Sequence, residues 1–329
     1  MGSKKKKAPH YTLHTGDALR ILKTLPDNTF DSMPTDPPAG IGFMSKPWDS
    51  ARGGRDKWIA WLTAILVECL RVLKPGAHGA IWAYPRTAHW TALAIENAGF
   101  EIVTVLTHLF ADSFPKQRHS LKPTTEYWYV IRKPISERNV AANMKRWGVG
   151  RLFPERVPVG PSKRHPGTTL LSHAPGCNKS KCIEGCPVLL LDRQSGERPA
   201  GRTPKQRIGS FFRTTRRPHP SKPKTYDDPG GASKYFPTFF YCPKASKKDR
   251  GEGNDHPTAK NTLMMGWLCK LITPCGGLVL DPFSGSASIG VGCLREGFGY
   301  VGIEKEKKYV TIARQRLKRV IQDEYGMSA

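Results

Sequence analysis

Apolar runs and amphipathic stretches alternate along the first 133 residues of the chain and again beyond residue 261. In the first part, strands are predicted at 30–35, 79–83, 101–110 and 125–131, and helices at 56–73 and 87–98. In the last part, the expected order is helix 261–272, strand 278–280, helix 289–296, strand 300–303 and helix 308–320. This alternation predicts an α/β fold, a doubly wound and mostly parallel sheet with helices on both faces.

The middle third breaks this pattern, because it is rich in Pro, Gly and Ser and has few long apolar runs. Residues 138–240 hold twenty Lys/Arg and six Asp/Glu, which is +14 of the formal net charge of +25. We interpret this region as an insertion whose charge and interleaved aromatic residues suit a nucleic acid, although a basic run is also typical of a solvated face. The candidate nucleic-acid-binding residues are Arg198, Arg202, Lys205, Arg207, Arg213, Arg216 and Arg217.

The composition argues against several classes of protein. No run of 18 uncharged apolar residues occurs, which argues against a membrane-spanning helix, and the lysine-rich N-terminus lacks the apolar core of a secretory signal. We expect residues 1–10 to form a flexible basic tail. In a chain without a signal, eight cysteines favour free thiols or a metal site over disulfides.

One group of metal-binding residue types lies in a loop rich in Gly and Pro. His173, Cys177, Cys182 and Cys186 fall within 14 residues of one another. One imidazole and three thiolates form an established structural zinc set, and metal binding supplies folding free energy to a region with few large apolar residues. The spacing predicts a closed structural zinc site, with unrelated surface thiols as the alternative.

A ligand site is predicted after the strand at 278–280. That strand is followed by Asp281, a turn rich in Gly and Ser, and a helix, while the next strand ends at Glu304. This layout is typical of a nucleotide-type site at the carboxyl edge of a doubly wound sheet, where the acid can bind ribose hydroxyls. Because the third glycine of a dinucleotide fingerprint is missing, the turn favours an adenosyl ligand without a pyrophosphate. A plain strand-to-helix turn is the alternative.

A second unusual turn, Asp36-Pro37-Pro38, follows the strand at 30–35. Two prolines fix the backbone and remove two N–H groups, which leaves the Asp36 carboxylate and nearby carbonyls as a rigid set of acceptors. Such a set suits an exocyclic amino group of a base, whose lone pair becomes localised when both of its hydrogens are accepted. Alone, the same turn is also typical of a strand that simply ends.

Together these motifs resemble those of amino-group DNA methyltransferases. Asp36-Pro37-Pro38 resembles their catalytic motif D-P-P-Y, and Asp281-Pro282-Phe283-x-Gly285-Ser286 resembles their S-adenosylmethionine motif D-P-F-x-G-S-G-T. Gly16-Asp17 with Leu25-Pro26-Asp27 resembles the segment before the catalytic motif, and His256-Pro257-Thr258-x-Lys260 resembles H-P-T-x-K. The order of catalytic motif, insertion and cofactor motif resembles the β class, and the middle piece resembles a phage and prophage subgroup.

The resemblance implies a seven-stranded Rossmann-like sheet and methyl transfer from S-adenosylmethionine to a flipped base of double-stranded DNA, with adenine N6 favoured over cytosine N4. The implied catalytic residues are Asp36, Pro37 and Pro38, and we add Phe43 as a candidate to replace the motif's missing aromatic ring. The implied cofactor-binding residues are Asp17 for the adenine, Glu304 for the ribose, and His256, Thr258, Lys260, Asp281, Phe283, Gly285 and Ser286 for the methionine end. The resemblance also implies the cytoplasm of a bacterial host, with a phage origin and a homodimer as options.

Three positions depart from the family motifs, and the change to Asn261, where a proline often follows H-P-T-x-K, is minor because that proline mainly starts a helix. Ala39 replaces the aromatic residue of D-P-P-Y, whose ring stacks on the flipped base, and we expect Phe43 or Trp48 to take over the stacking. Ala287 replaces a glycine, and we expect its methyl group to face the cofactor turn. A non-catalytic DNA-binding protein of the same fold is therefore one alternative, and methylation of RNA or protein is another.

The motifs also predict how the chain is divided. We expect a tail at 1–10, the catalytic half of the core at 11–133, an inserted target-recognition region with the zinc loop at 134–235, and the cofactor-binding half at 236–329. Both halves should build a single core, because strands of a doubly wound sheet share the helices that cover them.

Overall fold

Nine strands form one sheet in the computed structural model of the chain, which describes residues 8–111, 118–119, 121–160, 163–178, 181–197, 230–240, 247–251 and 253–326. The strands are β1 (Tyr11–Thr15), β2 (Phe30–Thr35), β3 (Leu73–Ala83), β4 (Glu101–Leu109), β5 (Thr125–Arg132), β6 (Thr169–Ser172), β7 (Thr238–Phe239), β8 (Leu278–Asp281) and β9 (Gly299–Glu304). They lie in the order β1-β9-β8-β2-β3-β5-β4-β6-β7. Neighbouring strands run parallel, except that β5 is antiparallel to both β3 and β4.

Helices cover both faces of this sheet. They are α1 (Ala18–Leu22), α2 (Arg55–Val72), α3 (Ala88–Asn97), α4 (Val140–Trp147), α5 (Pro187–Ser195), α6 (Lys247–Arg250), α7 (Thr262–Ile272), α8 (Ser288–Arg295) and α9 (Lys307–Tyr325). Side chains of neighbouring strand residues point to opposite faces. Accordingly, Val279 packs in the core under α7, α8 and α9, while Leu280 packs in the core under α2 and α3. Within the described ranges, none of the helices combines the length and apolarity that a membrane crossing requires.

The predicted fold class is confirmed, since the sheet is mostly parallel and covered by helices on both sides. Its strand count differs from the expected seven, because two short strands, β6 and β7, extend the sheet beyond β4. These strands are only 4 and 2 residues long, so they carry no period-two pattern long enough to read from the sequence.

Both ends of the chain contribute to the same core. Strand β2 lies between β3 and β8, and Trp128 of β5 belongs to the same buried cluster as Leu268 of α7. The region predicted as an insertion supplies α4, α5 and β6, and β6 pairs in parallel with β4. The boundaries of the four predicted segments stay a prediction.

The largest shift in an element end concerns α2 and β3. The sequence predicts a helix over 56–73 and a strand only from residue 79, but α2 ends at Val72 and β3 begins directly at Leu73, which pairs with Phe30. Gly76 then adopts a φ of +83° and donates its N–H to the carbonyl of Lys133. Pro75 and Gly76 therefore lie in the irregular first part of β3 and do not mark the end of a helix.

Candidate active site

A cavity of about 740 Å³ lies where β2, β8 and β9 end. Parallel strands present their following loops at one edge of a sheet, so motifs from opposite ends of the chain meet there. The cavity wall contains every residue predicted for the catalytic and cofactor sites, namely Asp17, Asp36, Pro37, Pro38, Phe43, His256, Thr258, Lys260, Asp281, Phe283, Gly285, Ser286 and Glu304. Their individual roles remain predictions, but their common location is a property of the fold.

Asp36 directly follows β2 at one end of the cavity. Burial raises the pKa of its carboxyl group to about 6. The ammonium group of Lys260 opposes this rise, with Nζ 3.6 Å from Oδ2 of Asp36. Above about pH 6 the side chain is therefore a carboxylate, which accepts hydrogen bonds and donates none.

The loop after Pro38 is held by the buried carboxylate of Asp49. Its Oδ1 accepts a hydrogen bond from the N–H of Gly40 at 2.9 Å, and its Oδ2 accepts one from the N–H of Phe43 at 2.7 Å. Gly40 has a φ of +71°, and a Cβ atom there would lie 2.5 Å from Nε1 of Trp58. Only glycine fits this position, and the resulting loop carries Phe43 to the cavity.

Asp281 ends β8 and is 1% exposed. Its Oδ1 accepts hydrogen bonds from the hydroxyl of Thr35 at 2.8 Å and from the N–H of Phe283 at 3.2 Å. Its Oδ2 accepts one from the hydroxyl of Tyr300 at 3.1 Å. Burial raises the pKa of Asp281 to about 7, and these three donors oppose the rise. Asp281 thus fixes the start of the turn after β8 and ties it to β2.

Glu304, the last residue of β9, closes the same turn. Its Oε2 accepts a hydrogen bond from the N–H of Gly285 at 2.8 Å, and its Oε1 accepts one from the N–H of Glu306 at 2.7 Å. Burial raises the pKa of Glu304, and these N–H donors oppose the rise. The glycine turn and the acid after the second strand therefore form one hydrogen-bonded unit.

His256 packs against the turn from the other side. Its ring centroid lies 4.4 Å from that of Tyr309, and it stacks on Trp48 at 6.4 Å. A Cβ atom at Gly285, whose φ is +51°, would lie 2.9 Å from Nε2 of His256. Burial lowers the pKa of His256 to about 4, and two nearby arginines add to the effect. The imidazole is therefore uncharged at neutral pH, and it packs closely on the backbone of Gly285.

Comparison with known proteins bears on what this cavity does. From residue 30 to residue 315 the sequence matches the family of DNA methylases named for N6 and N4 methyltransferases, which includes both the loop after β2 and the turn after β8. The chain belongs to this family. It is accordingly a methyltransferase of the class that modifies adenine N6 or cytosine N4 of DNA with S-adenosylmethionine as donor, as the motif resemblance implied.

Individual relatives of the methylase are distant or match locally. The type II methyltransferase M2.DpnII of Streptococcus pneumoniae is 38% identical, but over 73 residues that cover 22% of this chain and 27% of that enzyme. DNA adenine methyltransferase YhdJ of Escherichia coli is 24% identical over 310 residues, which cover 93% of this chain and 82% of that enzyme. The solved structure of the cytosine-N4-specific PvuII DNA methyltransferase superposes with a TM-score of 0.53 at 14% identity, covering 98% of this chain and 95% of that one. This last likeness concerns the fold alone.

The aromatic residues around Asp36 include some that the sequence did not single out. Phe43 and Trp48 both line the cavity, as do Tyr84 and Phe110. Trp48 already stacks on His256, beside the glycine turn. Both residues expected to replace the missing ring at position 39 therefore lie in the cavity wall, and which of them meets a base stays a prediction.

Ala287 differs from expectation. It is completely buried in the core cluster below α8, and it is not among the residues of the cavity wall. The expectation that its methyl group faces the cofactor turn is wrong. Its real departure is conformational, because it caps α8 with a φ of +57°, a region that favours glycine.

The cavity wall also contains an arginine–tryptophan pair that no sequence motif marks. The guanidinium of Arg52 lies 3.7 Å above the ring of Trp61, and both residues line the cavity beside Asp17. Arg52 belongs to a glycine-rich loop and Trp61 to the buried face of α2, so neither position carries a motif that could have pointed to the site.

The predicted zinc ligands come together. One donor atom from each of His173, Cys177, Cys182 and Cys186 lies within 4.8 Å of all the others. Nδ1 of His173 is 3.3 Å from the sulfur of Cys182 and 3.6 Å from that of Cys186. The ring of His173 is also stacked flat on Phe240, with centroids 4.3 Å apart. The loop thus brings one imidazole and three thiols to one point.

The predicted nucleic-acid-binding residues cannot be placed in the same way. Arg198, Arg202, Lys205, Arg207, Arg213, Arg216 and Arg217 all lie outside the residues that the structure describes. Their role stays a prediction from charge.

Proposed function

We propose that the methylase transfers the methyl group to an exocyclic amino group of a base flipped out of double-stranded DNA, with adenine N6 favoured over cytosine N4. The observation that carries this proposal is that Asp36, at the end of β2, shares one cavity with the turn after Asp281. The aspartate of the catalytic motif and the name of the relative YhdJ, a DNA adenine methyltransferase, support adenine. A DNA substrate also agrees with a location in the bacterial cytoplasm.

The cofactor end of the cavity suits S-adenosylmethionine in several respects. Gly285 has no side chain, so a ligand could approach its backbone closely. Phe283 and Trp61 supply apolar rings to the cavity wall. Asp17 and Glu304 provide carboxylates at the same end for the polar parts of an adenosyl group. S-adenosylmethionine supplies an electrophilic methyl group when bound. These residues would orient its adenosyl part.

The catalytic end of the cavity supplies acceptors for the amine. In the proposed reaction, the Asp36 carboxylate and the Pro37 carbonyl accept the two N–H groups of the target amine and direct its lone pair away from the ring. A base reaches this depth only after leaving the duplex stack. The chain contributes mainly orientation, because holding two reactants in line can supply several kcal/mol of rate acceleration, about 7 kcal/mol or more in favourable cases.

Methylation of defined duplexes tests the proposal. We expect purified methylase with labelled donor to modify double-stranded DNA, and mass spectrometry of the nucleosides to show N6-methyladenine. N4-methylcytosine would correct the base assignment, whereas modification of RNA or protein alone would contradict the DNA assignment. Asp36→Asn should abolish transfer and leave donor binding within about twofold. Full activity of this variant would exclude Asp36 as the acceptor.

Phe43 is the proposed stacking partner of the base. Base–aromatic stacking is worth about 1–3 kcal/mol, so Phe43→Ala should lower the rate by roughly 5–150-fold. Phe43→Tyr keeps a ring and is the matched control. Equal rates for all three proteins would remove Phe43 from the site.

We also propose that His173, Cys177, Cys182 and Cys186 hold a structural zinc ion. The donor set supports this, because Zn–S and Zn–N bonds of about 2.0–2.3 Å in a tetrahedron place the ligand atoms roughly 3.5–3.8 Å apart. The donor atoms of the cluster lie within 4.8 Å of one another, and Nδ1 of His173 is 3.3 and 3.6 Å from two of the sulfurs. Elemental analysis should find one zinc per chain, lost in the double variant Cys182→Ser/Cys186→Ser. The exposed Cys275 lies outside the cluster, and Cys275→Ser should keep the metal. The site would be contradicted if the purified protein contained no metal and added zinc did not change its thermal unfolding.

The basic stretch from Arg198 to Lys224 is the proposed phosphate-binding surface. Each phosphate that it neutralises releases a counterion, so DNA affinity should fall steeply with salt. Replacing Arg213, Arg216 and Arg217 by Ala should weaken binding to all sequences alike and reduce the salt dependence. A change in sequence preference alone would indicate base contacts instead.

A further inference from the structure

A buried chain of polar side chains leads from the sheet to Asp36. Glu126 of β5 is 6% exposed and is held on both carboxylate oxygens. Its Oε2 accepts a hydrogen bond from Nε1 of Trp82 at 2.6 Å, and its Oε1 lies 2.8 Å from Nδ1 of His108. Nε2 of His108 is in turn 2.7 Å from the hydroxyl of Ser172 at the end of β6. These contacts hold Glu126 in a fixed position, although it belongs to none of the motifs that line the cavity.

Lys260 connects this chain to the catalytic acid. Its Nζ lies 3.0 Å from Oε2 of Glu126 and 3.6 Å from Oδ2 of Asp36. The ammonium group also lies 3.9 Å above the ring of Trp82, which restricts its movement further. Hydrogen bonds between N–H and oxygen span about 2.7–3.2 Å, so Lys260 is bonded to Glu126 but only near Asp36.

We propose that Glu126 is a positioning residue that holds Lys260 close enough to keep Asp36 ionised, yet too far away to occupy its oxygens. The inference rests on the proposed function, in which those oxygens must accept the hydrogens of the target amine. Without Glu126, the nearest carboxylate for the buried ammonium group would be Asp36 itself. A direct Lys260–Asp36 pair would keep Asp36 ionised. Its carboxylate oxygens would then accept hydrogen bonds from the ammonium group of Lys260 instead of from the target amine.

The charges that face Asp36 support these two roles, in which Lys260 keeps Asp36 ionised and Glu126 positions Lys260. Lys260 favours the carboxylate form, while the carboxylates of Glu126 and Asp49 disfavour it. Burial disfavours the carboxylate as well, which makes the ammonium group of Lys260 important. Opposite charges at this distance change a carboxyl pKa by roughly 1–3 units, so each partner can be tested by titration.

The first experiment is a titration that does not depend on activity. In protein labelled with ¹³C at the aspartate carboxyl carbon, the Asp36 signal is assigned by its loss in Asp36→Asn. We expect a midpoint near pH 6 in the wild type. Lys260→Met should raise the midpoint by roughly 1–3 pH units, and Glu126→Gln should lower it. Lys270→Met, which removes a partly buried ion pair between α7 and Glu296 at the end of α8, is the matched control and should leave the midpoint unchanged.

The second experiment measures single-turnover methyl transfer from pH 5 to pH 9. Glu126→Gln should lower the rate by about 10–100-fold across this range without changing donor affinity, since a small misplacement of a reacting group has such an effect. Lys260→Met should move the acidic limb of the profile to higher pH. If Glu126 acts through Lys260, adding Glu126→Gln to Lys260→Met should cause no further loss, which is the non-additivity expected of coupled residues.

Two outcomes would overturn the inference. One is a folded Glu126→Gln protein in which both the titration of Asp36 and the transfer rate match the wild type. The other is an additive loss in the double variant. If Glu126→Gln does not fold, Trp82→Phe removes one donor to Glu126 but keeps the ring beneath Lys260, and it should shift the rate in the same direction. Failure of the wild type to methylate any DNA would refute the proposed function, whereas the titration would still test the placement of Lys260.

Discussion

The hydroxyl of Thr35 donates a hydrogen bond of 2.8 Å to Oδ1 of Asp281, and this bond joins the last residue of β2 to the last residue of β8. Both residues are buried. Because Asp36 follows the first and the glycine turn follows the second, the bond fixes the distance between the proposed acceptor of the amine and the proposed binding site of the donor. It is thus part of the geometry on which the proposed in-line transfer depends.

Removal of this hydroxyl should therefore affect both stability and activity. Thr35→Val leaves one buried lone pair of Asp281 without its donor, which costs about 1–3 kcal/mol of unfolding free energy. We expect weaker donor binding by calorimetry and a lower single-turnover rate. Thr35→Ser retains the hydroxyl and should lose much less of each. If Thr35→Val and Thr35→Ser behave alike, the missing methyl group rather than the hydrogen bond explains the effect.

The raised pKa of Asp281 predicts how the stability of the free protein depends on pH. In the folded state the pKa is about 7, against an ordinary value of 3.8, so the folded state binds this proton more tightly than the unfolded state does. The unfolding free energy should therefore fall as pH rises from about 4 to 7, by about 1.4 kcal/mol for each unit of pKa shift. Asp281→Asn should flatten this dependence in urea titrations without donor, leaving the contributions of Asp36 and Glu304, whose pKa values burial also raises.

Asp323→Asn is the control for this measurement, because Asp323 is exposed on α9. It should leave the slope unchanged. An unchanged slope in Asp281→Asn as well would mean that Asp281 is ionised in the folded state throughout this range, which would contradict the raised pKa.

The turn after β8 contains two positions at which a change between glycine and alanine should affect donor binding to very different degrees. Gly285→Ala places a Cβ atom 2.9 Å from Nε2 of His256 at a φ of +51°, so we expect donor affinity to fall by about tenfold or more. Ala287→Gly relieves a left-handed φ but removes a buried methyl group, two effects of about 1 kcal/mol each that nearly cancel. Donor affinity should then change by less than about twofold. A large gain on Ala287→Gly would show that the methyl group does obstruct the cofactor.

Much of the active site could be predicted because its residues lie in short local motifs. Asp36-Pro37-Pro38 and the turn after Asp281 each follow a strand in sequence, and parallel strands bring such loops to one edge. The cavity wall contains both motifs, as this rule requires. The fold class followed from the same alternation of strands and helices.

The supporting residues could not be predicted, because their importance arises from contacts between distant segments. Glu126 appears in the sequence as a polar residue in a strand, and only the pairing of β4 with β5 brings His108 to its carboxylate. The edge strand β1 and the short helix α1 were missed because β1 is mostly half-buried and has no strong apolar pattern. Ala287 was misjudged because the direction of its methyl group depends on a backbone φ that the sequence does not reveal.

Arg316 of α9 shows how a residue far from both motifs can hold the cofactor turn in place. It is 8% exposed, and its Nη1 donates hydrogen bonds to the carbonyl of Ser286 at 2.5 Å and to the hydroxyl of Ser288 at 3.2 Å. Its Nη2 donates one to the carbonyl of Asp249 at 3.0 Å. A single guanidinium thus connects the turn after β8 to the segment that leads to His256.

We expect Arg316→Met to lower donor affinity by about tenfold or more, because the turn and the segment before His256 lose their common donor. The unpaired carbonyls should also reduce the unfolding free energy by about 1–3 kcal/mol. Arg319→Met removes an exposed arginine from the same helix and should change neither quantity. Calorimetry of donor binding and urea unfolding separate the two effects. A variant that loses stability but binds the donor like the wild type would show that the hydrogen bonds of Glu304 and Asp281 suffice to hold the turn.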